Sequence, residues 1–166
     1  QKILRTIVGK RVSISYDLED KLWLVTGDRN KIDQVIINLV INARDAIEED
    51  EGAINVGVKN IFLEDSEGLI QKGIPFGAYV NISISDSGSG IPPEITEKIF
   101  EPFFTTKGEE GTGLGLATVY GIVKQHNGFI EVHSELNKGT TFDIYLPSIL
   151  KSEGSDTASE KAAEVD

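Results

Sequence analysis

Apolar residues recur with helical spacing through residues 28–49, DRNKIDQVIINLVINARDAIEE. Ile32, Val35, Ile36, Leu39, Val40, Ala43 and Ile47 fall on one broad face at 3.6 residues per turn. The spacing predicts a single core-facing helix, with Asp28 accepting from the N–H groups of its first turn. Asn38, Asn42 and Asp45, at i, i+4 and i+7, line up on another face. These are mediocre helix formers, so a stripe of them asks for a reason. Spacing alone leaves two: a solvated face, or the polar wall of a site.

Elsewhere the period is two. Residues 12–16 and 22–25 read as short strands flanking a turn at 17–20, and 54–63 and 78–85 as longer ones. Residues 64–77 are polar and punctuated by glycine, which predicts a loop. Pro92 and Pro93 suit the first turn of a short helix over 94–99. A long mobile loop is expected over 100–113, then a helix over 114–125 closed by Asn127–Gly128. Residues 129–134 and 140–146 form a last strand pair around Asn137-Lys138-Gly139. The fold class is α/β (α+β): helices on one face of a mixed, largely antiparallel sheet.

Composition changes this picture at a few points. The 166 residues suffice for one domain, expected over 1–150, followed by a disordered tail or linker over 151–166. That tail holds two basic and five acidic residues, a net of 2 − 5 = −3. The formal charge of −11 argues against nucleic acid or an anionic membrane as partner. Any phosphate site must then be built from backbone N–H groups, a metal ion, or one or two basic side chains. With no cysteine, disulfides and thiolate sites are excluded, and no apolar run approaches the roughly 20 residues that cross a bilayer. The chain opens without an initiator Met, as a piece of a larger protein would.

Two glycine-rich stretches carry candidate chemistry. Asp86-Ser-Gly88-Ser-Gly90 follows a strand directly, so its carboxylate could accept from an exocyclic amine while the glycines admit a ligand close to the backbone. A tight turn with a solvated Asp explains the same residues. Gly111-Thr112-Gly113-Leu114-Gly115 opens a helix and suits an anion, or else serves as hinge and cap. It is neither a Walker sequence nor a dinucleotide-binding turn.

In this order and spacing the pieces resemble the ATP-binding catalytic domain of bacterial sensor histidine kinases, in the superfamily that includes gyrase, a heat-shock chaperone and MutL. The likeness covers about residues 12–147. It comprises an asparagine box (Asn38-Leu-Val-Ile-Asn42-Ala-Arg-Asp45-Ala), a first glycine box (Asp86 to Gly90), a phenylalanine box (Phe100-Glu-Pro-Phe-Phe-Thr-Thr-Lys107) and a second glycine box (Gly111 to Gly115). Gly139-Thr140-Thr141 lies near its end.

The resemblance implies a two-layer Bergerat-type sandwich that holds ATP between helices and a lid. It assigns Asp86 to the adenine amine and Asn42 to Mg2+ bridging the phosphates, an oxygen ligand for a hard cation. Gly111, Gly113 and Gly115 would let the lid wrap the phosphates, with Lys107 pairing their charge. Asp45, Gly88, Gly90, Ile91, Phe100, Thr105, Thr106, Thr112, Leu114, Leu116 and Thr140 complete the expected nucleotide contacts, and Asn38, Asn42 and Lys107 the catalytic set. The implied activity is transfer of the γ-phosphate to a histidine on upstream dimerisation helices, with a response-regulator receiver domain as indirect partner. A cytoplasmic setting and a monomeric isolated chain go with it.

Two departures matter. Hydrolysing relatives carry a glutamate one turn before the magnesium asparagine; here Asn38 stands there, without a basic carboxylate. That disfavours the alternative of an ATPase conformational switch, while a non-catalytic nucleotide-binding module or a serine kinase remain as other readings. Many histidine kinases have Lys three residues after that asparagine, where this chain has Asp45. His126 precedes Asn-Gly at a helix end and His133 sits in a strand, so neither has the surroundings of a phosphoacceptor.

Overall fold

The structure is a computed structural model that describes residues 2–10, 12–47, 51–64, 72–108 and 111–149. The tail expected over 151–166 lies outside the described residues. The elements run α1 (Lys2–Val8), β1 (Val12–Leu18), α2 (Arg29–Ala46), β2 (Gly52–Leu63), β3 (Gly77–Asp86), α3 (Gly115–Gln125), β4 (Phe129–Glu135) and β5 (Gly139–Pro147).

The five strands form one sheet in the order β1-β2-β3-β5-β4. Three neighbouring pairs are antiparallel; β1 and β2 are parallel, with α2 as the crossover that a parallel pair requires. One sheet face (Ile14, Ile54, Val56, Ile82, Ile84, Phe142, Ile144) packs on Leu39 and Val40 of α2 and Val119, Ile122 and Val123 of α3. The expected core face of α2 is borne out: Val35, Leu39, Val40, Ala43 and Ile47 are buried, and Ile32 and Ile36 partly so. On the opposite sheet face small polar residues pair across strands, Asn55 with Ser15 at 3.0 Å and Ser85 with Thr141 at 2.9 Å.

Asp28 caps α2 as expected, accepting from Asn30 N at 2.8 Å and Lys31 N at 3.4 Å. Its own N–H donates to His126 Nε2 at 3.1 Å, while His126 Nδ1 lies 2.7 Å from Ile122 O. Held at both ring nitrogens, His126 braces the end of α3 against the start of α2. The two helices therefore lie antiparallel, and the first turn of α3 reaches the middle of α2.

Three segments differ from the sequence expectation. Residues 22–25 are not a strand: Val25 makes one isolated bridge to Ser148. The Asn60 side chain takes the place of a ladder there, accepting from Trp23 N at 2.7 Å and donating to Lys21 O at 2.7 Å. Residues 94–99 do not form an α-helix but a 3-10 turn at Pro93–Ile95 and further turns. The Thr96 hydroxyl donates to Pro92 O at 3.2 Å, the carbonyl an α-helix would give to the Thr96 N–H. Helix α1 was not anticipated; it is one short stretch tied to the core by Leu4, Ile7 and Val8 and ended by Gly9 at φ +82°.

Candidate nucleotide site

Three features gather around α2. The first is the end of β3. Asp86 is 8% exposed, and its Oδ1 accepts from Gly88 N at 2.8 Å and Thr140 N at 3.3 Å. Burial pushes its carboxyl above the ordinary carboxylate value, and the two backbone donors offset that rise only in part. A carboxylate so fixed presents an acceptor in a low-dielectric setting, which suits an exocyclic amine.

The glycines here are demanded by packing. A Cβ on Gly88 would lie 2.5 Å from Ala46 O, and one on Gly139, at φ +115°, would strike the Asp86 carbonyl. They let the end of α2, the Asp86 loop and the β4–β5 turn touch backbone to backbone. Gly139→Ala is expected to destabilise the fold by at least about 2 kcal/mol, from strain and overlap together. Gly121→Ala, a helical position with open space around it, should instead stabilise by about 0.5–1 kcal/mol. Chemical denaturation of both variants checks the contrast.

The second feature is the start of α3. Leu114 occupies the N-cap position with no side-chain cap, unlike Asp28 on α2. The first N–H groups of α3 are thus left for an anion, and the helix dipole favours one there. This end faces α2: Asn38 Nδ2 donates to Gly115 O at 3.4 Å, and a Cβ on Gly115 would stand 3.9 Å from Asn42 Nδ2. The half-buried Asn42 carboxamide has no hydrogen-bond partner among the described residues.

The third is the segment expected to serve as a lid. Phe103 N donates to Gly113 O at 2.8 Å, with Phe103 at φ +69° and 75% exposed. Phe100 packs instead inward, against Tyr120 and Phe142 at ring distances of 5.5 and 6.5 Å. Thr105 Oγ1 accepts from Lys107 N at 3.0 Å, and Lys107 Nζ reaches Asp45 Oδ2 at 2.7 Å. Arg44 holds the other oxygen, Oδ1, at 2.6 and 2.9 Å. Burial raises the Asp45 carboxyl, but the hydrogen bonds from Lys107 and Arg44 outweigh it and hold the group below the ordinary value.

The structure thus gathers Asn38, Asn42, Gly115 and Leu114 at one point, Asp86, Gly88 and Thr140 at a second, and Asp45, Thr105 and Lys107 at a third. Ile91 and Leu116 pack against the core, Gly90 lies on the β4–β5 turn, and Thr106 and Thr112 are exposed. Gly111 backs on Thr105. Sequence reasoning passed over Arg44, whose partners are remote or adjacent rather than periodic. It also passed over Ser134, which accepts from Ile91 N at 2.7 Å and so joins the Asp86 loop to β4. No signal along the chain marks either.

A two-layer sandwich with a buried strand-end carboxylate and an uncapped helix start preceded by a glycine-rich segment fits an ATP-binding domain of one class. The chain belongs to the histidine kinase-, DNA gyrase B- and HSP90-like ATPase family, whose pattern matches residues 27–149. Among curated proteins it is 45% identical over 163 residues to sensor kinase CckA of Brucella abortus (strain 2308), covering 98% of this chain and 17% of that protein. It is 39% identical over 139 residues to sensor histidine kinase ZraS of Escherichia coli (strain K12), covering 84% of this chain and 26% of that one. Among solved structures, a nucleotide-free catalytic domain of histidine kinase ThkA matches at 32% identity and TM-score 0.66, over 89% of this chain and 84% of that chain. The chain therefore spans about a sixth to a quarter of the length of these curated relatives, and corresponds to the histidine kinase type of ATP-binding domain.

Proposed function

We propose that residues 1–150 bind Mg-ATP and donate its γ-phosphate to a histidine on dimerisation helices outside this chain, as one step of two-component signalling in the cytoplasm. The observation that carries this reading is the pairing of the unpartnered Asn42 carboxamide with the uncapped start of α3. One wall offers an oxygen for a cation and the other N–H groups for phosphate.

Mg2+ fits that donor set, because it keeps most of its water and needs few protein oxygens beside the phosphates. The Asn42 carboxamide oxygen would hold the ion, which would supply neutralisation of the phosphate charge. Asp86 orients the base, the α3 N–H groups and Lys107 receive the phosphates, and Asn38 anchors the start of α3 through Gly115 O. Asn38 stands one turn before Asn42, where a carboxylate would activate water, so ATP is held for an incoming side chain. His126 is committed to its brace, which removes it as acceptor.

Residues 1–166 alone are expected to show negligible self-phosphorylation and very slow ATP turnover. Supplied with a histidine-bearing helical pair from a sensor kinase, they should label that histidine with an acid-labile, base-stable phosphate. Brisk hydrolysis by the isolated chain would favour the ATPase-switch reading, and label on His126 or His133 would show the acceptor misjudged.

A further inference from the structure

Asp45 was expected at the nucleotide, yet its carboxylate is fully engaged by two cations. Lys107 holds Oδ2 and Arg44 holds Oδ1, with the Asp45 side chain 29% exposed and that of Lys107 39%. The two cations are not equivalent. Arg44 is anchored from behind: its Nη1 donates to Ile7 O of α1 at 3.2 Å. Lys107 belongs to the segment proposed as a lid, where the Thr105 hydroxyl braces its backbone N–H. Asp45 sits one helical turn beyond Asn42, so a lysine on Asp45 is within a short swing of whatever Asn42 faces.

We propose that Asp45 is a positioning residue, a latch that holds the lid through Lys107 while the site is empty and yields Lys107 to the nucleotide's phosphates when they arrive. This rests on the nucleotide reading of the site. Arg44 makes the exchange feasible. When Lys107 leaves, the carboxylate keeps its Arg44 fork on Oδ1 and is not left as an uncompensated charge. The phosphates, more highly charged than one carboxylate, win the lysine in competition. Asp45 thereby sets an energetic threshold for lid capture that depends on phosphate number and not on the base.

The test is a double-mutant cycle on the full chain with calorimetric titration of ATP and adenosine. Asp45→Asn should tighten ATP binding roughly two- to fivefold, the range of a partly exposed ion pair, and leave adenosine binding unchanged. In a Lys107→Gln background the same substitution should do nothing. Hydrogen exchange on the nucleotide-free chain supplies an independent reading: Asp45→Asn should speed exchange across 103–108. Weaker ATP binding in both backgrounds would overturn the latch and make Asp45 a direct site contact, and unchanged affinity with unchanged exchange would also overturn it. If the wild-type chain binds no nucleotide, the site reading falls instead, and the nucleotide-free exchange alone decides whether Asp45 restrains the lid.

Discussion

Replacing Asp86 with Asn is expected to weaken ATP binding by about 1–3 kcal/mol, roughly five- to 150-fold. The amide oxygen can still accept from Gly88 N and Thr140 N, so the loop should keep its shape. What changes is the face toward the base, where an amide NH2 would oppose the adenine amine, donor against donor. GTP, which carries a carbonyl at that position, should lose far less, and calorimetry with both nucleotides reads the difference. Wild-type ATP affinity in the variant would remove Asp86 from the base site.

The same residue predicts a pH dependence of known sign. Burial raises the folded-state carboxyl above its ordinary value of 3.8. A raised folded pKa means that the group favours folding below the unfolded value and loses that contribution as pH rises through the folded one. At neutral pH the ionised Asp86 thus burdens the empty domain, and Asp86→Asn should melt at a higher temperature than wild type while binding ATP less well. ATP affinity of the wild type should fall as pH is lowered toward the raised pKa, whereas the variant should lack that component.

The second large effect is expected at Asn42. Asn42→Ala removes a carboxamide without a partner, so stability should hardly move. The response of ATP affinity to Mg2+ should vanish, and phosphate transfer to a supplied histidine helix should fall on the order of 100-fold. Titration with and without EDTA separates the metal-dependent part from residual base binding. A variant whose affinity still tracks Mg2+ as the wild type's does would show that another atom holds the ion.

Much of this architecture was legible along the chain because it is local. The period of α2, its Asp28 cap and the strand alternation are written within windows of a few residues, and the helix and strand centres follow them. What escaped is non-local. The β1–β2 pairing is parallel because α2 intervenes, but the sequence of either strand is the same whichever way it pairs. Residues 22–25 have strand composition, yet Asn60, 37 residues from Trp23, satisfies the backbone that a neighbouring strand would have satisfied. The glycines were legible as positions, but one reason for them was not: Gly88 and Gly139 make room for the protein's own backbone. The stripe of Asn38, Asn42 and Asp45 was one line in sequence, and the fold divides its work among the start of α3, a free carboxamide and a lid ion pair.

The clamp on Asp86 has a consequence for how the protein comes into being. One of its two donors, Thr140 N, lies 54 residues further along the chain, in a strand that enters the sheet beside β3 after most of the domain has been made. During synthesis a chain that has emerged only as far as α3 would have the Asn42 stripe, but not the finished Asp86 clamp proposed to receive adenine. The ability to capture ATP should therefore appear late and all at once, when β5 inserts between β3 and β4. From then on every bound nucleotide favours the completed fold by mass action, about 4 kcal/mol at a thousandfold excess over Kd. Cellular ATP would act on this chain as a fastener before it acts as a phosphate donor.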